Sequence, residues 1–346
     1  MTTAQSLYLR PVRHDDMSAL QQLAELLDTM NLPRDRDALA GIIAESEISF
    51  SRLTPPSPGQ PAPLPASGTY SLVAVQNGQL LGTASILSHH GTSDDPHYYL
   101  RVVEQTVRST QLNTQRRRHV LRLERDQEPW TELGGLVVHP DARGQGLGKL
   151  LVAARLLLVA MHPVHFCQRL LAELLPPRRS DGSNAFWDAL GGQLTGLQYY
   201  RADLLCRTDK EFIDTLFPHH EIVLELLPPE AQEMVGQVGP ATLPVCHLLQ
   251  RAGFRYLETV DPFDGGPHYG APLAAISPIQ RSRPLVCLDL PPTADGERLL
   301  LGNPQSHCFH AAAAQICHHG LRLDPDTAQV LNLQPGYPVW IMPLDW

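Results

Sequence analysis

The sequence predicts an α/β protein with a mixed central sheet flanked by helices and a small β-rich C-terminal extension. Three observations support this fold class. Apolar patterns with the periods of strands and helices alternate along most of the chain. The Asn77-Gly78 dipeptide between two apolar runs is typical of a tight hairpin, because both turn positions need a positive φ. A glycine-rich turn at 143–149 follows an apolar strand pattern and opens an amphipathic helix, which is the order of an α/β unit.

The first elements of the chain are short. The patterns predict a strand at 6–12, a helix at 17–27 and a second helix at 37–50. Prolines then bunch between residues 54 and 65, where the missing amide donors and the fixed φ exclude a helix or a central strand. We therefore expect an exposed proline-rich loop at 51–68, inside a domain and not between two domains.

The later elements continue the same alternation. The patterns predict strands at 70–75, 80–87, 98–107, 112–122, 131–138, 170–175 and 254–260, and helices at 144–161, 184–190 and 241–252. Beyond Pro272 the chain changes to short strand patterns separated by proline and glycine. The sequence thus predicts a main domain at 1–272 and a small β-rich module at 273–346.

Composition limits the function classes. The chain has 346 residues, 43% hydrophobic and 18% charged, with 27 basic and 36 acidic residues and a formal net charge of −9. These values are typical of a packed globular protein and argue against nucleic acid as a partner. Six scattered cysteines without a C-x-x-C pair indicate reduced thiols. With no secretory signal and no apolar stretch long enough to cross a bilayer, we expect a cytoplasmic protein without a membrane partner.

The glycine-rich turn at 143–149 (RGQGLGK) is the segment most informative about function. Glycines leave room for main-chain N–H groups of the first helical turn to converge on an anion, assisted by the positive end of the helix dipole. A pyrophosphate fits this description. The spacing resembles the coenzyme A motif, Arg-x-x-Gly-x-Gly/Ala, of the GNAT superfamily of N-acyltransferases, and the order of predicted elements up to residue 161 matches that superfamily.

The resemblance implies a GNAT-type sheet whose central strand carries a bulge and splays from the next strand. Gly134-Gly135 is the expected bulge. Main-chain groups of Leu136 and Val138 would hold the pantetheine arm, and the Leu136 N–H would face the thioester oxygen as an oxyanion donor. The implied coenzyme A-binding residues are Leu136, Val138, Arg143, Gly144, Gly146, Gly148 and Lys149.

Further stretches carry a narrower resemblance. They include Asn31-Leu32-Pro33, 186–191 (FWDALG), 201–206 (RADLLC), 253–256 (GFRY) and 261–267 (DPFDGGP). Together these stretches resemble the bacterial arginine N-succinyltransferases of arginine catabolism. The resemblance implies transfer of a succinyl group from succinyl-CoA to the α-amino group of L-arginine, with ornithine as a possible second acceptor. It implies no permanently bound cofactor, and a homo- or hetero-oligomer.

One position departs from that family's pattern. A histidine, proposed as the proton donor, usually follows the Gly-Gln-Val stretch, where this chain has Gly239. The family's Asp-Gly-Gly-Pro is usually followed by a small polar residue, where this chain has His268. Three interpretations stay open: His268 takes over the role, water or another group does so, or the chain lacks ordinary activity.

The chemistry requires a route for protons, because an α-ammonium must lose a proton before it attacks a thioester and the departing thiolate accepts one. The candidate catalytic residues are His268, Glu173 and Glu132. Glu173 lies in an apolar run, where burial is expected to raise its pKa toward that of a working base. The alternative for Glu173 is a sheet-edge glutamate paired with an arginine.

Substrate recognition calls for charged partners. A guanidinium requires carboxylates, for which Asp203, Asp261 and Asp264 are the candidates. Asp261 and Asp264 also stand where a side chain caps a turn. Arg201 is the candidate partner of a substrate carboxylate, and His220 is either an acid or substrate ligand or part of an exposed turn.

The sequence predicts no metal site. Several of the 16 histidines are adjacent pairs such as His89-His90, which point in different directions on regular structure, and no H-x-x-x-H helix is present. We expect direct transfer in a ternary complex, without an acyl-enzyme. Two rival functions stay open: an acyltransferase with another acyl-CoA or amine, and a catalytically silent CoA-binding subunit of a hetero-oligomer.

Overall fold

A computed structural model describes residues 7–26, 32–53, 67–179, 181–206, 209–286, 297–303, 309–317, 320–322, 325–333 and 336–346. The strands are β1 (Tyr8–Pro11), β2 (Thr69–Gln76), β3 (Gln79–His90), β4 (Tyr98–Ser109), β5 (Thr114–Arg125), β6 (Trp130–Val138), β7 (Arg169–Glu173), β8 (Ile222–Val223), β9 (Arg255–Val260), β10 (Pro267–Pro272), β11 (Arg283–Val286), β12 (Arg298–Gly302), β13 (Ala311–Cys317), β14 (Gly320–Arg322) and β15 (Pro338–Pro343). The helices are α1 (Met17–Ala24), α2 (Arg36–Ser51), α3 (Leu147–Met161), α4 (Ala185–Ala189), α5 (Gly191–Thr195), α6 (Tyr199–Leu205), α7 (Glu211–Leu216), α8 (Pro229–Met234), α9 (Leu243–Ala252), α10 (Ser277–Arg281) and α11 (Pro325–Val330).

The strands form one mixed sheet. Its order is β11-β15-β12-β13-β1-β2-β3-β6-β7-β10-β9-β4-β5-β8, with β14 paired to β13. β6 and β7 pair in parallel, and the other described pairs are antiparallel. The predicted fold class, a mixed central sheet flanked by helices with β-strands at the C-terminal end, is confirmed.

Alternate residues of β2 face different helices, because successive side chains of a strand point to opposite faces. Leu72 and Ala74 pack in the core cluster that contains α3, whereas Val73 and Val75 pack in the cluster that contains residues of α1 and α2. The central strands are therefore covered on both faces. A further cluster, built around Trp187 with the stacked ring of Phe263, lies under β4, β5 and α4–α7.

The C-terminal strands extend the central sheet. β13 pairs with β1 through Tyr8↔Ala312, and Ile279, Met342 and Trp346 belong to the same core cluster as α3. The domain boundary at residue 272 stays a prediction. Within the described residues, no helix is both long enough and apolar enough to span a membrane.

Most predicted elements are confirmed, with shifts at their ends. Asn77 and Gly78 have φ values of 52° and 75°, as the tight hairpin requires. The helix expected from residue 144 begins at Leu147, because Gly146 has φ 84° and a residue with a left-handed φ cannot belong to a right-handed helix. Strand β10 was not predicted, since it begins and ends with proline. Residues 54–66 of the proline-rich segment lie outside the described residues, as does Asn31.

Candidate active site

A large cavity opens where β6 and β7 separate. The two strands pair only at Thr131↔Leu170 and Glu132↔Leu171, so the rest of β6 has no β7 partner. Residues 133–138 of β6 line a cavity of about 1330 Å³ together with the turn at 143–149 and the start of α9. The splay that the GNAT resemblance implied is present, and it provides the space for an extended ligand.

The expected bulge lies on β6 at Gly135 and Leu136. The register changes from Ser85↔Gly134 to Thr83↔Val137, so β6 carries an extra residue there, and Gly135 has φ 59°. Leu136 lines the cavity at this bulge. This is the place at which the resemblance puts the oxyanion donor.

A buried arginine from α3 supports the bulge. The Arg155 side chain is 1% exposed and its guanidinium donates to the carbonyl oxygens of Gly134, at 3.2 Å, and Ser85, at 3.4 Å. Burial lowers the pKa of Arg155 to about 9, and the nearby Glu132 carboxylate partly offsets this effect. Sequence analysis missed Arg155, because a single charge within an apolar helix gives no indication of the strand on which it packs.

The glycine-rich turn is open on its cavity side. Gly144 and Gly146 have φ values of 75° and 84°, and a Cβ placed on Gly144, Gly146 or Gly148 would meet no atom within 4 Å. Both left-handed positions favour glycine for conformational reasons, and the empty space over all three glycines fits an anion held by main-chain N–H groups. Each of these glycines lines the cavity.

Lys149 is engaged elsewhere. Its ammonium donates to the main-chain oxygens of Leu344, at 2.6 Å, and Trp346, and it lies 5.0 Å from the centre of the Trp346 ring. Arg143 lines the cavity and donates from Nε to the Val138 carbonyl oxygen at 3.2 Å. Lys149 therefore connects the glycine turn to the residues that follow β15, and its role in coenzyme A binding stays a prediction.

Carboxylates gather at the other side of the cavity. Asp203, Asp261, Asp264 and Glu173 all line it. Glu132 lies six residues before Val138, where β6 ends ahead of the glycine turn, and six residues span about 20 Å along a strand. The cavity thus offers an anion cradle at one side and an acidic wall at the other.

Both aspartates of the 261–267 segment cap a turn and also face the cavity. The Asp261 Oδ1 accepts from the Phe263 N–H at 2.6 Å, and the Asp264 Oδ1 accepts from the Gly266 N–H at 2.8 Å. Burial raises the pKa of Asp264 to about 7; the Gly266 N–H opposes this rise. Burial and the neighbouring Asp264 also raise the pKa of Asp261. A cation in this wall would relieve the repulsion between the carboxylates.

The expectation of a raised pKa for Glu173 was wrong. Burial alone would raise it, but the hydrogen bond from His97 and the nearby His268 hold the pKa of Glu173 below its ordinary value. Glu173 is therefore ionised, and its partners are histidines instead of the arginine considered from the sequence. The sequence did not indicate that His97 contacts Glu173, because His97 lies 76 residues away in a loop before β4.

Histidines form the region behind Glu173. His97 lies between two carboxylates, with Nε2 2.9 Å from Glu173 Oε1 and Nδ1 2.7 Å from Asp126 Oδ2. Burial opposes protonation of His97, but the hydrogen bonds to Asp126 and Glu173 raise its pKa to about 10. The His90 ring is 4.6 Å from that of His97, and burial lowers the pKa of His90 to about 3.

The structure places His268 behind the acidic wall. It is 1% exposed, its Nδ1 lies 3.3 Å from the Thr259 hydroxyl, and it is not among the residues that line the cavity. Burial lowers the pKa of His268 to about 4. Gly239 has no room for a side chain, because a Cβ there would lie 2.6 Å from the Pro176 carbonyl oxygen. Glu132 and Glu173 are the two candidate catalytic residues that reach the cavity.

Two other predicted residues lie away from the cavity. Arg201 on α6 and His220 before β8 are both exposed, and neither lines it. The structure instead places Arg178 and Tyr199 in the acidic wall, with the Arg178 guanidinium 5.9 Å from the Tyr199 ring centre. Sequence analysis missed Arg178, since nothing local distinguishes it from its neighbour Arg179, which does not line the cavity and pairs with Asp188 and Glu230.

Comparison with known proteins gives the family. The profile of the family described as arginine N-succinyltransferase beta subunit matches residues 7–278. An arginine N-succinyltransferase of Citrobacter koseri is 32% identical over 330 residues, which cover 94% of this chain and 91% of that protein. One from Salmonella paratyphi B is 31% identical over 327 residues, covering 93% and 91%.

A solved structure agrees with this match. Subunit AI of the arginine/ornithine succinyltransferase from Pseudomonas aeruginosa is 27% identical, with a TM-score of 0.83 over 99% of this chain and 100% of that one. The match therefore extends over the C-terminal strands as well as the rest of the sheet. The chain belongs to the arginine N-succinyltransferase family of acyltransferases.

Proposed function

We propose that this protein transfers a succinyl group from succinyl-CoA to the α-amino group of L-arginine. One observation carries the proposal: a single cavity holds an open glycine turn at one side and five carboxylates, including that of Glu132, at the other. The first suits the pyrophosphate of a coenzyme A thioester. The second suits an acceptor with two cationic groups, since the acidic wall lowers the free energy of a bound cation.

The bulge on β6 supports the reacting carbonyl. The amine nitrogen attacks the thioester carbon, and the oxyanion that forms accepts a hydrogen bond from the Leu136 N–H. The carbon–sulfur bond then breaks, and the departing thiolate takes up a proton. No acyl-enzyme is needed. Arg155 acts as a positioning residue, because its hydrogen bond to the Gly134 carbonyl oxygen fixes the bulge.

Proton removal falls to the cavity carboxylates. Glu132 on β6 and Glu173 on β7 both line the cavity, and each lies against His90, at 3.4 and 3.7 Å. An ionised carboxylate at this place binds the α-ammonium and receives one of its protons, and the lone pair freed on the nitrogen then attacks the thioester carbon. Asp203, Asp261 and Asp264 are left for the guanidinium, and Arg178 for a substrate carboxylate.

The location and partners follow from the same proposal. Succinyl-CoA serves as co-substrate, with no cofactor bound permanently, and we place the reaction in the cytoplasm. The Pseudomonas aeruginosa relative is a subunit by its description. We accordingly propose that this chain works in a homo- or hetero-oligomer.

A second candidate function is favoured by Gly239. The close approach of this glycine to the Pro176 carbonyl leaves no space for the histidine that the family usually carries there. A chain without that proton donor would bind coenzyme A and complete the site of a homologous partner. This silent-subunit alternative predicts tight coenzyme A binding without turnover by the isolated chain.

The test is thiol release by the purified protein with succinyl-CoA and L-arginine, beside controls with acetyl-CoA and with ornithine. We expect turnover with succinyl-CoA and arginine, a loss of at least tenfold in kcat/KM in E132Q and in E173Q, and little change in E233Q, an exposed glutamate of α8. His268→Ala tests whether His268 carries the proton. Calorimetric coenzyme A binding without turnover of any pair would support the silent-subunit alternative instead.

A further inference from the structure

Behind the acidic wall, three side chains from separate elements converge. His90 ends β3, His97 precedes β4 and Glu173 ends β7, and one ligand atom from each lies within 4.8 Å of the others. Glu173 Oε1 is 2.9 Å from the Nε2 of His97 and 3.7 Å from the Nε2 of His90. We call these residues the His90–His97–Glu173 cluster.

The opposite nitrogens of both rings face carboxylates. The Nδ1 of His97 lies 2.7 Å from Asp126, and the Nδ1 of His90 lies 3.4 Å from Glu132. An imidazole that donates from Nδ1 presents the lone pair of Nε2, and this carboxylate–histidine arrangement is how proteins orient histidines that bind metals. Both Nε2 atoms therefore turn toward the same carboxylate oxygen.

Within the described part of the chain, the Nε2 atom of His90 lacks a partner, and a bound cation would provide one. Its Nε2 is buried and has no hydrogen-bond partner in the part of the chain that the structure describes. An ion pair of His97 with Asp126 and Glu173 explains the contacts of His97 without any metal. It does not explain why His90 directs a second nitrogen at a carboxylate to which it makes no hydrogen bond.

We infer that the His90–His97–Glu173 cluster binds one divalent transition-metal ion of the zinc type, through the two Nε2 atoms and Glu173 Oε1. Two imidazole nitrogens and one carboxylate oxygen are the donor set of open zinc sites, whereas Mg²⁺ and Ca²⁺ take oxygen ligands. On binding, the ion releases to solvent the proton that His97 carries on Nε2 toward Glu173, and it supplies a positive charge between Glu173 and the unprotonated Nε2 of His90.

The position gives the ion access to the cavity. Glu173 lines the acidic wall, so a coordination position left open by the three ligands lies close to the acceptor. His268 stands next to the cluster, with its ring centre 5.2 Å from that of His97, and its buried Nε2 also lacks a hydrogen-bond partner among the described residues. No sequence motif indicates the cluster, because a loop separates His90 from His97.

The test uses the full chain without a histidine tag, stripped with a chelator and titrated with Co²⁺ while the visible d–d absorption is recorded. We expect one equivalent per chain with the intense bands of a low-symmetry site, displaced by one equivalent of Zn²⁺. His90→Gln should weaken Co²⁺ binding at least tenfold. Asp126→Asn, which removes the carboxylate behind His97, should weaken it about 10- to 100-fold.

The control is His14→Gln, an exposed histidine outside the cluster, which should titrate like the wild type. Absence of the Co²⁺ bands in the wild type overturns the inference without any variant having to fold. Equal titrations of the wild type and His90→Gln, with matching circular dichroism, also overturn it. Because the readout needs no acyl transfer, failure here leaves the proposed function unaffected, and failure of thiol release leaves the metal site testable.

Discussion

Replacing Asp264 with asparagine should stabilise the protein without substrate and weaken its binding of a cationic acceptor. The buried Asp264 has a pKa of about 7 in the fold, against an ordinary value of 3.8. Between these values only the folded chain keeps the proton, so the stability of the wild type falls as the pH rises from about 4 to about 7. Asparagine removes this dependence, and its Oδ1 retains the bond from the Gly266 N–H.

The size of the effect follows from the two pKa values. Above pH 7 their difference corresponds to about 4 kcal/mol of free energy of unfolding. At pH 5 only the pH interval from 3.8 to 5 contributes, and it lowers the free energy of unfolding by about 2 kcal/mol. The stabilisation by Asp264→Asn should therefore be larger at pH 8 than at pH 5 by about 2 to 3 kcal/mol.

Urea unfolding of wild type and variant at the two pH values measures this difference directly. Asp181→Asn is the matched control, because the Asp181 Oδ1 also accepts a main-chain N–H, at 2.9 Å, but the side chain is exposed. Asp181→Asn should not gain stability at the higher pH. An equal change for Asp264→Asn at pH 5 and pH 8, or a loss of stability at pH 8, would refute the assignment of a buried, costly carboxylate to the acidic wall.

Three further outcomes follow from the site. Gly146→Ala should lower the free energy of unfolding by about 1 kcal/mol, because Gly146 has a left-handed φ, and it should raise the KM for succinyl-CoA about tenfold. The control is Gly182→Ala, because Gly182 has a similar φ of 81° and free space around it. In the same urea and thiol-release assays this control should show only the loss of stability. Arg155→Met should lower kcat and reduce the free energy of unfolding by about 3 kcal/mol, with Arg155→Lys partly restoring both; an unchanged kcat would contradict its role at the bulge. The KM for arginine should rise as the pH falls below about 7, because Asp264 gains a proton, and the KM for succinyl-CoA should stay constant in the same pH series.

Local signals predicted the parts of the site that a short segment encodes. The hairpin at Asn77-Gly78, the bulge at Gly135 and the glycine turn all depend on glycine or asparagine at a left-handed φ, which a sequence displays directly. The resemblance to a family added the acidic residues of the 261–267 segment. Each of these features is settled by residues close together in the chain.

Contacts between segments that are distant in the chain could not be predicted from the sequence. The cluster behind Glu173 depends on β3, the loop before β4 and β7 meeting, and no local pattern indicates that His90, His97 and Glu173 share one place. The pKa of Glu173 was mispredicted for the same reason, since burial was visible in the apolar run but the histidines were not. Strand β10 was not predicted because its residues have a weak strand propensity. Its pairing with β7 and β9, which the sequence does not show, outweighs that propensity.

The attachment of Lys149 to the residues after β15 has a consequence for how dissolved salt acts on the enzyme. With that ammonium occupied by the carbonyl oxygens of Leu344 and Trp346, the turn presents main-chain dipoles to its ligand, and Arg143 is the cation of the 143–149 segment left beside them. Dipoles at contact distance are screened by dissolved salt far less than separated charges are. The coenzyme A side of the cavity should thus tolerate high ionic strength, while the acidic wall, which recognises its ligand by net charge, loses affinity as salt is added.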